Sequence, residues 1–147
     1  MISTLVTGGL SALLGTSLVS RSVSTSLDII SGLLTFLVNG NETNVLVRET
    51  KNRVEKMDIQ TKLNLARFYM SFKDSDVQLA ILLRNMDTLI GDIEVCLKRI
   101  TDQIELHNNK WFSSYRQFDV SVDLEELDTH VSVLDDRLKK LITLKIN

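Results

Sequence analysis

The side chains best suited to chemistry are few and stand far apart in the chain. Among 147 residues there is one cysteine, Cys96, and there are two histidines, His107 and His130. A cysteine beside a histidine is a common nucleophilic pair, but Cys96 and His107 are about three helical turns apart and would not touch within one helix. With so few sulfur and nitrogen ligands we predict no zinc site, and Cys96 is expected to be a buried, inert thiol.

Paired carboxylates and glycines do not add a catalytic motif. Glu125-Glu126 and Asp135-Asp136 offer oxygen ligands, but adjacent residues on a helix point about 100° apart, so each pair is expected to face water. Gly8-Gly9 and Gly15 lack the spacing and the lysine of a phosphate-binding loop. We therefore predict no catalytic, cofactor-binding or metal-binding residues, and no enzymatic activity.

His107 is the one titratable residue that falls on an apolar helical register, which Trp111 continues. The simpler interpretation is a histidine at the end of a core helix. The alternative is a pH-sensitive lock, because protonation near neutral pH inside an apolar seam would loosen the packing.

Composition indicates which elements carry these residues. The chain contains no proline, which long helices exclude from their interiors. Seventeen basic and nineteen acidic residues give a net charge of −2, without the basic face typical of nucleic-acid binders, so no nucleic-acid partner is predicted. The length suits one domain.

The strongest pattern is a run of apolar residues that alternate four and three positions apart, the a/d spacing of a coiled coil. Ser75 and Gln78 form a capping-box sequence before it. The pattern predicts a helix from Ser75 to about Lys110, roughly 50 Å long. The residues of this first seam are Leu79, Leu83, Met86, Ile90, Ile93, Leu97, Ile100 and Ile104.

A second seam with the same alternation follows near the end of the chain. Ser121 is the predicted N-cap, Asp123 suits the positive start of the helix, and Lys139 suits its negative end. Four aromatic residues between 111 and 118 are expected to close the end of the bundle. The residues of the second seam are Leu124, Leu127, Val131, Leu134, Leu138 and Leu141.

A weaker apolar stripe predicts one further helix from Thr43 to Phe72, with charges on its other faces. The fold class is therefore predicted as all-α: an antiparallel bundle of three long helices with heptad seams, residues 43–147, preceded by an apolar two-helix leader. We call residues 1–40 the leader.

The leader carries only two ionisable side chains, Arg21 and Asp28, and ends at a turn around Asn39-Gly40. Two short helices broken around Ser20-Arg21-Ser22 are predicted. The sequon at Asn41 is a chance-prone signal. The apolar residues of the leader are the candidate contacts with a partner or a membrane: Leu5, Leu10, Leu13, Leu14, Leu18, Val23, Leu27, Ile30, Leu34 and Leu37.

Three interpretations of the leader stay open: packing on partner subunits, spanning a membrane, or lying in a bilayer interface. Met1 to Ser20 is long enough to span, but it is rich in serine, threonine and glycine, so insertion is marginal. Gly8, Ala12, Thr16 and Ser20 permit close helix packing in either setting. The near absence of lysine and arginine weighs against the interfacial helix.

The predicted function is that of a non-enzymatic structural or adaptor subunit, anchored in a larger assembly through the leader. A small helical protein without proline could serve as a minor shell protein of a virus particle or as an accessory subunit of a membrane complex, which is an argument from architecture. The predicted partners are other protein subunits, and the leader is also a candidate for contact with a membrane. The alternative is a membrane-active protein whose N-terminal segment inserts into or perforates a bilayer.

Overall fold

A computed structural model describes residues 15–38, 44–71, 77–108 and 118–146, with side chains from Ser24 to Leu144 within those ranges. Within these ranges the chain is helical, without strands, which confirms the all-α class. The helices are α1 (Gly15–Val38), α2 (Val45–Lys56), α3 (Ile59–Met70), α4 (Val77–Asn108) and α5 (Ser121–Ile146).

The helices form a bundle around a single hydrophobic core. Helix α4 lies between α1 and α5 and packs on both along much of its length, while α3 packs on α5, and α2 and α3 also contact α1. Each helix buries apolar side chains in this core, among them Ile30, Val47, Leu63, Ile93 and Leu134. The apolar stripes of all five helices therefore face one another.

Helices α4 and α5 run in opposite directions. A guanidinium nitrogen of Arg99 lies 3.5 Å from Asp123 Oδ1, and Arg137 donates a hydrogen bond of 3.0 Å to the backbone oxygen of Asn85. Each step forward along α4 is thus matched by an equal step backward along α5. This register decides which side chains of the two helices meet.

The structure buries nearly all residues of the two predicted seams. In α4 the exception is Leu83, which is half-buried, and in α5 all six residues are buried. The predicted first residue of this helix, Ser75, and the aromatic residues 111–117 lie outside the described ranges. The heptad geometry itself stays a prediction.

Helix α1 corrects the predicted break in the leader, because it runs unbroken through Ser20-Arg21-Ser22. No proline interrupts it, and hydroxyls inside a helix can bond to the carbonyl four residues back, as Thr35 Oγ1 does to Ser31 at 2.9 Å. Leu27, Ile30 and Leu37 of the predicted contact set are buried in the common core.

The structure describes only some of the other predicted contact residues. Leu34 is partly buried and packs against the core, while the side chains of Leu18 and Val23, and all of Leu5, Leu10, Leu13 and Leu14, lie outside the described part of the chain. The turn and sequon at residues 39–43 lie outside it as well. The division of the chain at residue 40 stays a prediction, although α1 and α4 share one core.

The predicted single helix from 43 to 72 is wrong, because it is divided at Met57-Asp58 into α2 and α3. The backbone amides of Met57 and Asp58 donate to the carbonyls of Val54 and Glu55, each at 3.1 Å, which tightens the last turn of α2. Asp58 then adopts a left-handed conformation, with φ 53° and ψ 45°. The bend directs both Met57 and Ile59 into the core.

Substitutions of Asp58 measure the free-energy cost of the left-handed conformation at this bend. A left-handed conformation costs a residue with a Cβ atom roughly 1–2 kcal/mol, and β-branched residues tolerate it least. We expect Asp58→Val to lower the free energy of unfolding by about 1–2 kcal/mol in urea titrations, with Asp58→Gly and Asp58→Asn near wild type. A valine variant as stable as the asparagine variant would contradict the bend.

The structure corrects the predicted N-cap of α5. Ser121 is the first helical residue rather than the N-cap. The carboxylate of Asp119 accepts hydrogen bonds from the backbone N–H of Ser121 at 3.0 Å and from its hydroxyl at 2.7 Å. These two bonds hold the pKa of Asp119 below its usual value.

Candidate functional site

The outer side of α1 is the first candidate, because it exposes large apolar side chains. Ile29 and Phe36 are 40% and 38% exposed and lie two helical turns apart on the same side of α1. Gly32 lies between them, and the space where its Cβ atom would stand is open. The ammonium of Lys51 lies 5.8 Å from the centre of the Phe36 ring. We call Ile29, Gly32 and Phe36 the α1 outer face.

The α1 outer face was not among the predicted contact residues. The sequence pattern selected Leu27, Ile30 and Leu37, which the chain's own core already buries. The side of α1 that remains accessible to a partner is therefore the side that does not carry the predicted apolar stripe. Whether either set contacts a partner stays a prediction.

His107 lies where the end of α4 meets the start of α2. Asn44 Oδ1 accepts from the backbone N–H of Val47 at 3.0 Å and so caps α2. The Asn44 amide nitrogen is then the atom that faces His107 Nε2, 3.0 Å away. Because an amide N–H donates, Nε2 accepts, and the ring proton resides on Nδ1. The His107 ring also packs against Phe118, with ring centres 5.2 Å apart.

This arrangement gives the predicted pH-sensitive lock a geometry, although the lock stays a prediction. His107 Nδ1 is buried and has no hydrogen-bond partner among the described residues. A second proton on the ring would set an N–H of Nε2 against the N–H of Asn44, so the hydrogen bond would be lost.

Removal of the Asn44 side chain is expected to destabilise the chain. Asn44→Ala should cost about 1 kcal/mol, the usual effect of losing an N-cap, and it also removes the hydrogen bond to His107. The exposed Asn52, in the middle of α2, provides the matched control, because Asn52→Ala removes the same side chain without a cap. Urea titrations of both variants measure the difference, and equal stabilities would contradict the capping role.

The second candidate is a polar cluster formed by Cys96 of α4 with Glu126 and His130 of α5. Cys96 stands three positions before Arg99, and Glu126 three positions after Asp123, so the antiparallel register brings them opposite each other. His130 lies one turn further along α5, with Nε2 3.7 Å from Glu126 Oε1. One sulfur, one oxygen and one nitrogen ligand atom all lie within 4.8 Å of one another.

The three side chains of the cluster differ in solvent exposure, and the charged groups near the thiol are mostly negative. Cys96 is fully buried, whereas Glu126 and His130 are half-buried. Burial, and then the Glu126 carboxylate that accepts a hydrogen bond from the thiol, raise the pKa of Cys96 to about 11, against the opposing charge of Arg99. Arg99 itself lies 3.3 Å from Glu126 Oε2. At neutral pH the thiol therefore keeps its proton.

Sequence reasoning missed this cluster because it compared Cys96 with His107 on the same helix. The signal that was present is the four-residue spacing of Glu126 and His130, which places both on one side of α5. Joining that side to Cys96 requires the register between two helices. The expectation that the chain has too few ligands for a zinc site did not consider three ligands brought together from different elements.

A third surface, the groove between the α2–α3 bend and α5, is balanced in charge. Such a groove has no net preference for an anion or a cation, because its basic and acidic side chains are equal in number. Its charged residues are Arg53, Lys56, Lys62, Asp128, Asp135 and Asp136.

The chain matches no known protein family, and neither a curated protein nor a solved structure proved similar to it. Among the described helices, none combines the length and the apolar character needed to cross a bilayer. The candidate span Met1–Ser20 lies mostly outside the described residues.

Proposed function

We propose that this chain is a non-enzymatic structural or adaptor subunit of a larger assembly, which it contacts through the leader. The observation that supports this most is the two-sided character of α1. One side packs into the core through Leu27 and Ile30, while the opposite side holds Ile29 and Phe36 in contact with solvent. Aromatic and aliphatic anchors on a rigid helix are typical of the central part of protein interfaces.

The gap at Gly32 favours a helical partner. A helix packs most closely where its neighbour has no side chain, and the position above Gly32 is open between two large apolar residues. A partner side chain placed there would contact both Ile29 and Phe36, which removes apolar surface from water at about 25 cal/mol per Å².

The remaining helices would supply a rigid platform. In this proposal α4 and α5 pair through their heptad seams within one chain, and the bent α2–α3 unit takes the place of the third long helix. The seams then satisfy one another, because all of their residues except the half-buried Leu83 are already buried within one chain. Assembly would use the leader rather than the seams, as in a minor shell protein of a virus particle or an accessory subunit of a membrane complex.

The alternative function is a membrane-active protein whose N-terminal segment inserts into or perforates a bilayer. It is supported by the absence of charged side chains from Met1 to Ser20. The same segment would serve the assembly proposal if it packs on protein, so the two functions differ in what the leader contacts.

Photo-crosslinking separates these functions. A photoreactive residue replaces Phe36 in the full chain, expressed in the cells or particles that contain it, and a second variant carries the same residue at the exposed Glu55 of α2. The assembly proposal expects one defined protein adduct from position 36 and none from position 55. Equal adducts from both positions, or none from either, would count against the α1 outer face.

Liposome flotation tests the membrane alternative with the purified chain. The deletion should remove residues 1–14 only, because a deletion of the whole leader would also remove Ile30 and Leu37 from the core. Flotation of the full chain that is lost on this deletion would favour membrane insertion. A full chain that stays at the bottom of the gradient would exclude it.

A further inference from the structure

We propose that Cys96, Glu126 and His130 form a binding site for a divalent transition metal ion of the zinc type, which would join α4 to α5. Thiolate sulfur, imidazole nitrogen and carboxylate oxygen are the ligand atoms that zinc binds in proteins. Here one of each lies within 4.8 Å of the others. Three protein ligands leave the fourth tetrahedral position to water.

The spacing of the ligand atoms suits such an ion after small side-chain adjustments. Metal–ligand bonds of about 2.0–2.3 Å in a tetrahedron place the ligand atoms less than about 4 Å apart. The 3.7 Å between His130 Nε2 and Glu126 Oε1 already meets this condition. The remaining closure is a movement of the half-buried Glu126 and His130 side chains towards the buried sulfur.

Two residues around the cluster support the ligands. Arg99 contacts Oε2 of Glu126 at 3.3 Å, while the other carboxylate oxygen, Oε1, lies 3.7 Å from His130 Nε2. Asp123 Oδ1 lies 3.5 Å from the same nitrogen of Arg99. Partners of this kind orient metal ligands in known sites.

The charges of the cluster also favour a dication. Binding displaces the proton of the Cys96 thiol, so the thiolate and the carboxylates of Glu126 and Asp123 provide three negative charges, against one positive charge on Arg99. A divalent ion makes this sum neutral. An ion pair within α5 would account for Glu126 and His130, but it would not account for the buried sulfur that α4 directs at them.

Cobalt binding to the reduced full chain tests the proposal. With Co²⁺ as the probe, we expect one ion per chain, a thiolate-to-cobalt charge-transfer band in the near ultraviolet, and the strong visible bands of four-coordinate cobalt. Zn²⁺ should displace the cobalt and raise the melting temperature. Cys96→Ser should abolish the charge-transfer band, and His130→Gln and Glu126→Gln should each weaken binding about tenfold or more.

Two matched variants complete the experiment. Glu125→Gln removes the neighbouring carboxylate, and His107→Gln removes the other histidine, so both should bind cobalt like wild type. Absence of the charge-transfer band from the wild-type chain, or a band that survives in both the His130→Gln and Glu126→Gln variants, would overturn the site. The His130→Gln and Glu126→Gln variants keep the test valid if Cys96→Ser fails to fold. None of these results depends on the assembly function.

Discussion

Substitution of Ile93 by aspartate is expected to unfold the bundle. Ile93 is fully buried in the middle of α4, where it belongs to the common core. The substitution removes a large apolar side chain, at a cost of about 2–5 kcal/mol, and places a carboxylate where it has no partner, which costs several kcal/mol more. Together these approach the entire stability of a typical domain, about 5–15 kcal/mol.

Thermal melting followed by circular dichroism measures this effect, and Val95→Asp is its matched control. Val95 lies two positions away on the same helix but is 47% exposed, so its carboxylate would stay hydrated. We expect the Val95 variant to melt near wild type and the Ile93 variant to lack a cooperative transition. Wild-type melting of Ile93→Asp would show that this side of α4 does not face the core.

Substitution of Ile30 by aspartate is expected to have a comparable effect, although Ile30 belongs to the leader. The side chain is fully buried in the core that α1 shares with α4. If α1 were an appendage on an independent bundle, the substitution would leave the melting of the bundle unchanged. Because the core includes Ile30, we expect a loss of several kcal/mol in the free energy of unfolding.

The adjacent Ile29 provides the control for this prediction. Ile29→Asp makes the same change on the exposed side of α1, so the melting temperature should stay near that of wild type. Its effect should appear instead in contact with a partner, if the α1 outer face has the proposed role. Similar melting of the Ile29 and Ile30 variants would contradict the packing of α1 on α4.

The apolar periodicity of the chain predicted most of what is regular in the fold. It placed helices over α4 and α5 and identified seam residues that the structure buries, from Leu79 to Ile104 with the exception of Leu83, and from Leu124 to Leu141. Periodicity succeeds here because a helix repeats every 3.6 residues, so a stripe of apolar residues defines which side is buried.

The errors arose where a local pattern allowed two conformations. Ser20-Arg21-Ser22 resembles a break, yet α1 runs through it, because a serine hydroxyl inside a helix can bond to the carbonyl four residues back. Met57-Asp58 carries no glycine or proline, yet the chain bends there because aspartate tolerates the left-handed region and the bend buries Met57 and Ile59. At Met57-Asp58 tertiary packing decided against the local signal.

The reactive side chains also separate what the sequence determines from what only the tertiary structure determines. By itself the sequence determined that the chain is helical, which sides of α4 and α5 are apolar, and that Cys96 lies in a helix rather than a loop. Only the tertiary structure decided that α1 shares the core with α4 and that Cys96 meets Glu126 and His130. A periodic stripe specifies the direction in which a helix buries its residues, but it carries no information on which helix covers it or at what register. Those are settled by the packing of the whole chain.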